Sequence, residues 1–120
     1  MMATNSSVDA NGMNRDEPVH VNGQEALDGI VADGGVVLVD FHAEWCGPCK
    51  MLEPVVKTLA AETDATVAKV DVDENQALAS AYGVRGVPTL VLFADGEQVE
   101  EVVGAQPEDQ LRALIDRHTA

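Results

Sequence analysis

The sequence predicts an α/β fold: a central mixed five-stranded sheet flanked by four helices, in the order β-α-β-α-β-α-β-β-α. Three observations lead there. Val36-Val-Leu-Val-Asp-Phe41 is a nearly continuous apolar run, the kind that fills a strand covered on both faces. Helically periodic segments alternate with such runs, which calls for parallel strands joined by crossovers. Asp95-Gly96 then separates two strand-like runs as a two-residue hairpin turn, adding an antiparallel edge.

Each element has its own signal. Pro18-Val-His-Val21 reads as a short strand. Asn22-Gly-Gln-Glu25 has the spacing of a capping box and opens a helix with Ala26, Leu27, Ile30 and Val31 on one face. Gly34-Gly35 ends that helix. After the buried run, Lys50 to Glu62 carries Met51, Leu52, Val55, Val56 and Leu59 at helical spacing. Pro54 lies inside it, so a kinked helix is expected. Thr66 to Val72 alternates as a strand. Asn75 to Tyr82 is a short helix stopped by Gly83. Thr89–Ala94 and Glu97–Val103 are the hairpin strands. Pro107 starts a last helix, with Glu108 and Asp109 in its first turn and Leu111, Leu114 and Ile115 as its apolar face.

The 120 residues make one domain, with no internal repeat. Residues 1–16 are polar and aperiodic and read as a disordered tail, leaving 17–120 as the folded domain. No apolar run approaches the roughly 20 residues that span a bilayer. The opening MMATNSSVDANGMNRDEP lacks a basic region followed by an apolar one, which points to a cytoplasmic protein. There are 21 acidic and 7 basic residues, a formal net charge of -14. That field repels nucleic acid and anionic membranes, so neither is an expected partner. The acids are scattered along the chain and the only lysines are Lys50, Lys57 and Lys69, a pattern that suits high salt.

The two cysteines stand together in Trp45-Cys46-Gly47-Pro48-Cys49-Lys50. Haem attachment needs His after the second Cys, and Lys50 is there instead. A structural zinc needs four ligands, and His20, His42 and His118 show no ligand pairing, so no metal is expected. As a structural staple, closing so short a loop would contribute only about 2 kcal/mol, against about 3 for fifteen residues. Inert buried thiols do not suit a strand-to-helix junction, which lies at a surface. A redox pair explains the spacing better. At a helix start, the first sulfur meets unpaired N–H groups and the positive end of the dipole, which favours its thiolate. The second lies one turn further, within bonding distance. Pro48 is tolerated because a first-turn position has no hydrogen bond to lose.

Residues 39–51, Val-Asp-Phe-His-Ala-Glu-Trp-Cys-Gly-Pro-Cys-Lys-Met, resemble the active-site signature of the thioredoxin family. The likeness continues through Pro54, Val67-Ala-Lys-Val-Asp71, Tyr82-Gly-Val-Arg-Gly-Val-Pro-Thr89 and Val103-Gly-Ala105, covering about residues 18–118. It implies a thioredoxin fold and a protein-disulfide reductase that needs no cofactor beyond the Cys46–Cys49 disulfide. In that pattern Cys46 is the exposed nucleophile and Cys49 the resolving thiol. Asp40 is the buried proton acceptor, tuned by neighbouring Lys69, and Pro88 is a cis-proline facing the site. Trp45, Gly47, Pro48, Gly86, Val87 and Gly104 frame the substrate surface. Implied partners are disulfide-containing proteins and a separate thioredoxin reductase, with the chain itself a monomer. No glycine pattern for a nucleotide appears that would supply electrons internally. A disulfide oxidase or isomerase, or a non-catalytic binding module, are the rival functions on the same fold. His42 departs from the pattern, standing where many members carry a large aromatic residue. It is either a packing substitute or a titrating neighbour of the thiols.

Overall fold

The computed structural model describes residues 16–119; apart from Asp16, the predicted tail lies outside the described residues. The nine elements are β1 (Val19–His20), α1 (Gln24–Ala32), β2 (Val36–His42), α2 (Gly47–Glu62), β3 (Thr66–Asp71), α3 (Gln76–Ala81), β4 (Thr89–Ala94), β5 (Glu97–Val103) and α4 (Glu108–His118). The sheet order is β1-β3-β2-β4-β5. Strands β1, β3 and β2 run parallel, while β4 and β5 are antiparallel additions.

Side-chain alternation divides β2 between two cores. Val37, Val39 and Phe41 point to the face that packs Leu27 and Ile30 of α1 and Leu78 of α3. Val36 and Leu38 point to the other face, against Leu52, Val56 and Leu59 of α2 and Leu111 and Ile115 of α4. Phe41 is fully buried, and truncating it to Ala should cost about 3–5 kcal/mol. The alternation read in β3 does not carry over to burial: Thr66 to Val70 are all buried, because a central strand has a helix layer on each side.

Three local expectations are corrected. Gly23, not Asn22, is the N-cap of α1, and no side chain caps that helix. The Asn22 carboxamide oxygen instead accepts from Asn75 Nδ2 at 3.2 Å, and Asn75 Oδ1 accepts from the Gly23 N–H at 2.8 Å. A partner far along the chain therefore takes the group that local spacing assigned to a cap. Ala26 and Met51 are exposed, Met51 at 75%, so neither belongs to a core face. Pro107 is the N-cap of α4 and not its first turn. The hairpin is as expected: Asp95 and Gly96 both have positive φ, 51° and 88°, as a type I′ turn demands.

Candidate active site

Helix α2 begins directly above the C-terminal end of β2, and its first turn holds the cysteines. Cys46 is the N-cap: its sulfur accepts the Cys49 backbone N–H at 3.1 Å, with Pro48 in the first turn. The sulfur thus takes the place usually filled by a Ser or Asp oxygen at a helix start, where N–H groups lack partners. Cys46 and Cys49 form a disulfide with Cα atoms 5.3 Å apart. Both cysteines are almost covered, at 3% and 4% exposure. The expectation of an exposed Cys46 is therefore corrected for the disulfide form, in which Ala43, Val72 and Val87 pack around the pair. Trp45, Gly47 and Pro48 around them are exposed.

The Val87–Pro88 bond is cis. The Val87 carbonyl oxygen lies 3.7 Å from Cys46 Sγ. The Gly104 N–H donates to the Pro88 carbonyl at 2.7 Å, so the end of β5 joins this rim. The Thr89 hydroxyl donates to the Gly86 carbonyl at 2.7 Å and tightens the turn before β4. Trp45, Gly86 and Val87 line a groove of about 140 Å3 together with Val72, Val84 and Arg85. Trp45 is 69% exposed, and its indole N–H donates to Asp73 Oδ2 at 2.9 Å, fixing the ring at the groove's edge. The sequence reading missed Val72, Val84, Arg85 and Asp73, although Val84 and Arg85 lie in the quoted motif. Nothing local in the sequence marks Asp73.

Beneath the disulfide is a polar island. Asp40 and His42 point to the α2 face of β2, as do Val36 and Leu38. Lys69 is the register partner of Asp40 on β3, and His20 is that of Lys69 on β1. Asp40 is 1% exposed and its Oδ1 has no hydrogen-bond partner. Burial pushes its carboxyl up to about 7; Lys69 pulls the other way and Glu53 adds to the rise. Lys69, itself buried, is ion-paired to Glu53 of α2. Glu53 was absent from the predicted site, yet its spacing of four from Cys49 on the same helix is a readable signal. His42 is held below its usual range, chiefly by burial and then by Lys69.

Among the described residues, no group of three or more His, Cys, Asp and Glu side chains is arranged to hold a metal. His118, one candidate ligand, lies 2.9 Å from Glu100 of β5.

The thioredoxin family profile matches residues 18–117. The chain belongs to the thioredoxin family. A thioredoxin of Staphylococcus epidermidis is 51% identical over 88 residues, 72% of this chain and 85% of that one. A solved structure of a mutant thioredoxin from Halobacterium salinarum is 72% identical, with a TM-score of 0.86 over 88% of this chain and 94% of that one. Another is 29% identical, with a TM-score of 0.76 over 86% of this chain and 97% of that one. It is described as the structural basis of the thiol resolving mechanism in yeast mitochondrial 1-Cys peroxiredoxin via glutathione/thioredoxin systems. As a member of this family the chain is a thiol–disulfide oxidoreductase, and its redox group is its own Cys46–Cys49 pair. The Halobacterium likeness agrees with the high-salt reading of the acidic composition.

Proposed function

We propose that the protein is a protein-disulfide reductase that donates electrons to target proteins. Cys46 is the nucleophile, because its sulfur alone receives a first-turn N–H and lies beside the open groove. Its thiolate attacks one sulfur of a target disulfide, forming a mixed disulfide and expelling the other target sulfur as a thiolate. Asp40 takes the Cys49 thiol proton, and Cys49 attacks Cys46 Sγ. The Cys46–Cys49 bond forms, the bond to the target breaks, and the target leaves with the electron pair. Two electrons have passed from the dithiol to the target, and a separate thioredoxin reductase returns them.

Trp45, Gly47, Pro48, Gly86, Val87 and Gly104 form the surface that holds the extended target segment, with Pro88 setting the Val87 carbonyl. Lys69 tempers the rise in the Asp40 carboxyl. The protein works in the cytoplasm as a monomer, with neither nucleic acid nor membrane as a partner. No described helix is long and apolar enough to cross a membrane. The peroxiredoxin named with the 29% relative illustrates the class of target.

The sulfur N-cap of α2 is the observation that carries the reading. Dithiothreitol-driven reduction of insulin tests it, run at low and high salt. Wild type should be active, and Cys46→Ser and Cys49→Ser should be inactive as catalysts. An inactive wild type at every salt concentration, or an active Cys46→Ser, would overturn it.

A further inference from the structure

A cleft of about 380 Å3 opens beneath Cys49, and the exchange chemistry described above leaves most of it unexplained. Cys49, His42, Glu53, Lys69 and His20 line it, with Glu44 and Lys50 at its rim. Two atoms here are buried without a hydrogen-bond partner: Asp40 Oδ1 and His42 Nε2. Unpaired buried polar atoms are uncommon and costly, and two of them on one strand need a reason. Positions 40 and 42 of β2 share one face, about 6.6 Å apart along the strand, a separation that bridging water can link. Asp40 itself has no exit to solvent, whereas half-buried His42 lines the cleft.

This matters because the resolving step needs Asp40 ionised. With its carboxyl at about 7, about half of the molecules carry a proton on it at neutral pH and cannot accept another. The proton must first leave. Resting on the reductase reading, we propose that His42 is a relay residue that carries the Asp40 proton through the cleft to solvent and so resets the carboxylate for the next resolving step. The proton passes from Asp40 to His42 Nε2 over bridging water. The imidazolium then releases the Nδ1 proton to cleft water, and a tautomer exchange restores the ring. No electrons move in this relay.

Burial, ahead of any charged neighbour, favours a neutral imidazole at His42 that returns quickly to its resting form. Lys69 on β3 and His20 on β1 oppose a positive ring, while Asp71 on β3 and Glu53 on α2 favour it. Asp40 is two residues along its own strand, and Glu44 and Lys50 stand at the mouth of the cleft. Burial outweighs each of these neighbours, so the ring carries charge only in passing.

The test is multiple-turnover reduction of a small disulfide by full-length protein from about pH 6 to 8.5, with mixed-disulfide formation measured separately by stopped flow. His42→Ala should be about fivefold slower below pH 7, where Asp40 holds its proton, and the deficit should shrink as pH rises. Free imidazole should restore the His42→Ala rate in proportion to its concentration. It should do little for wild type or for His42→Phe, whose ring occupies the place of the imidazole. A His42→Ala profile superimposable on wild type would overturn the relay, as would equal slowing of both steps or absence of imidazole rescue. A wild type that forms no mixed disulfide would instead sink the reductase reading, and the relay with it.

Discussion

Lys69 stands directly across from Asp40 in the β2–β3 register, yet its ammonium pairs with Glu53 of α2. Asp40 is left with Oδ1 unpartnered, and desolvation outweighs the attraction of the nearby lysine. Glu53 thereby shares the tuning that the sequence reading assigned to Lys69 alone: it adds to the rise that Lys69 opposes.

Glu53→Gln should lower the Asp40 titration from its value of about 7, by about one pH unit, because Lys69 becomes free to favour the carboxylate. Lys69→Met should raise it. Carboxyl-carbon NMR of the oxidised protein reads both shifts, and parallel shifts would refute the antagonism.

Asp40 should make the fold less stable as pH rises. Its folded value of about 7 lies above the ordinary 3.8, so the native state holds the proton more tightly. Its stabilising contribution is fully present below about pH 4 and is lost as pH climbs through about 7, a difference on the order of 4 kcal/mol. Asp40→Asn should therefore stabilise the protein at pH 7 by about 2–4 kcal/mol and slow release of the mixed disulfide, leaving its formation nearly unchanged. Denaturant melts from about pH 5 to 9 and stopped-flow reduction check the two halves.

In the reduced protein Cys46 should be alkylated before Cys49. Its sulfur faces the Cys49 N–H at the start of α2, while Cys49 points into the polar cleft. Peptide mapping after brief iodoacetamide treatment reads the order, and preferential labelling of Cys49 would reverse the assigned roles.

Melting temperature should rise between about 0.1 and 3 M KCl, because a net charge of -14 repels itself until salt screens it. The ion pairs joining Arg112 to Glu62 and Glu108 lie at the surface, so their loss to screening removes little. A flat or falling midpoint in a salt series followed by circular dichroism would contradict the high-salt reading.

The fold was legible because its signals are local: the apolar run of β2, the Asp95-Gly96 turn and the helical spacing of Leu52, Val56 and Leu59 all act within a few residues. The errors arise where a distant partner intervenes. Asn22 has the spacing of a cap but bonds Asn75. Met51 fits the helical period of Val55, yet it is exposed instead of packing against the sheet. The cysteine pair was legible from its spacing, and Glu53 stands one turn beyond Cys49, but its pairing with Lys69 depends on the packing of α2 on β3. His42 stood out as a departure, but its unpartnered nitrogen and the cleft beside it depend on tertiary placement.

The most direct test of the central claim, that Cys46 attacks and Cys49 resolves, is to incubate Cys49→Ser and Cys46→Ser with a disulfide-bonded protein and map the adducts by mass spectrometry without reduction. The account predicts a stable adduct on Cys46 of Cys49→Ser, dissolved by dithiothreitol, and little or none on Cys46→Ser. Equal adduct on Cys49 of Cys46→Ser, or turnover by Cys49→Ser at the wild-type rate, would contradict it.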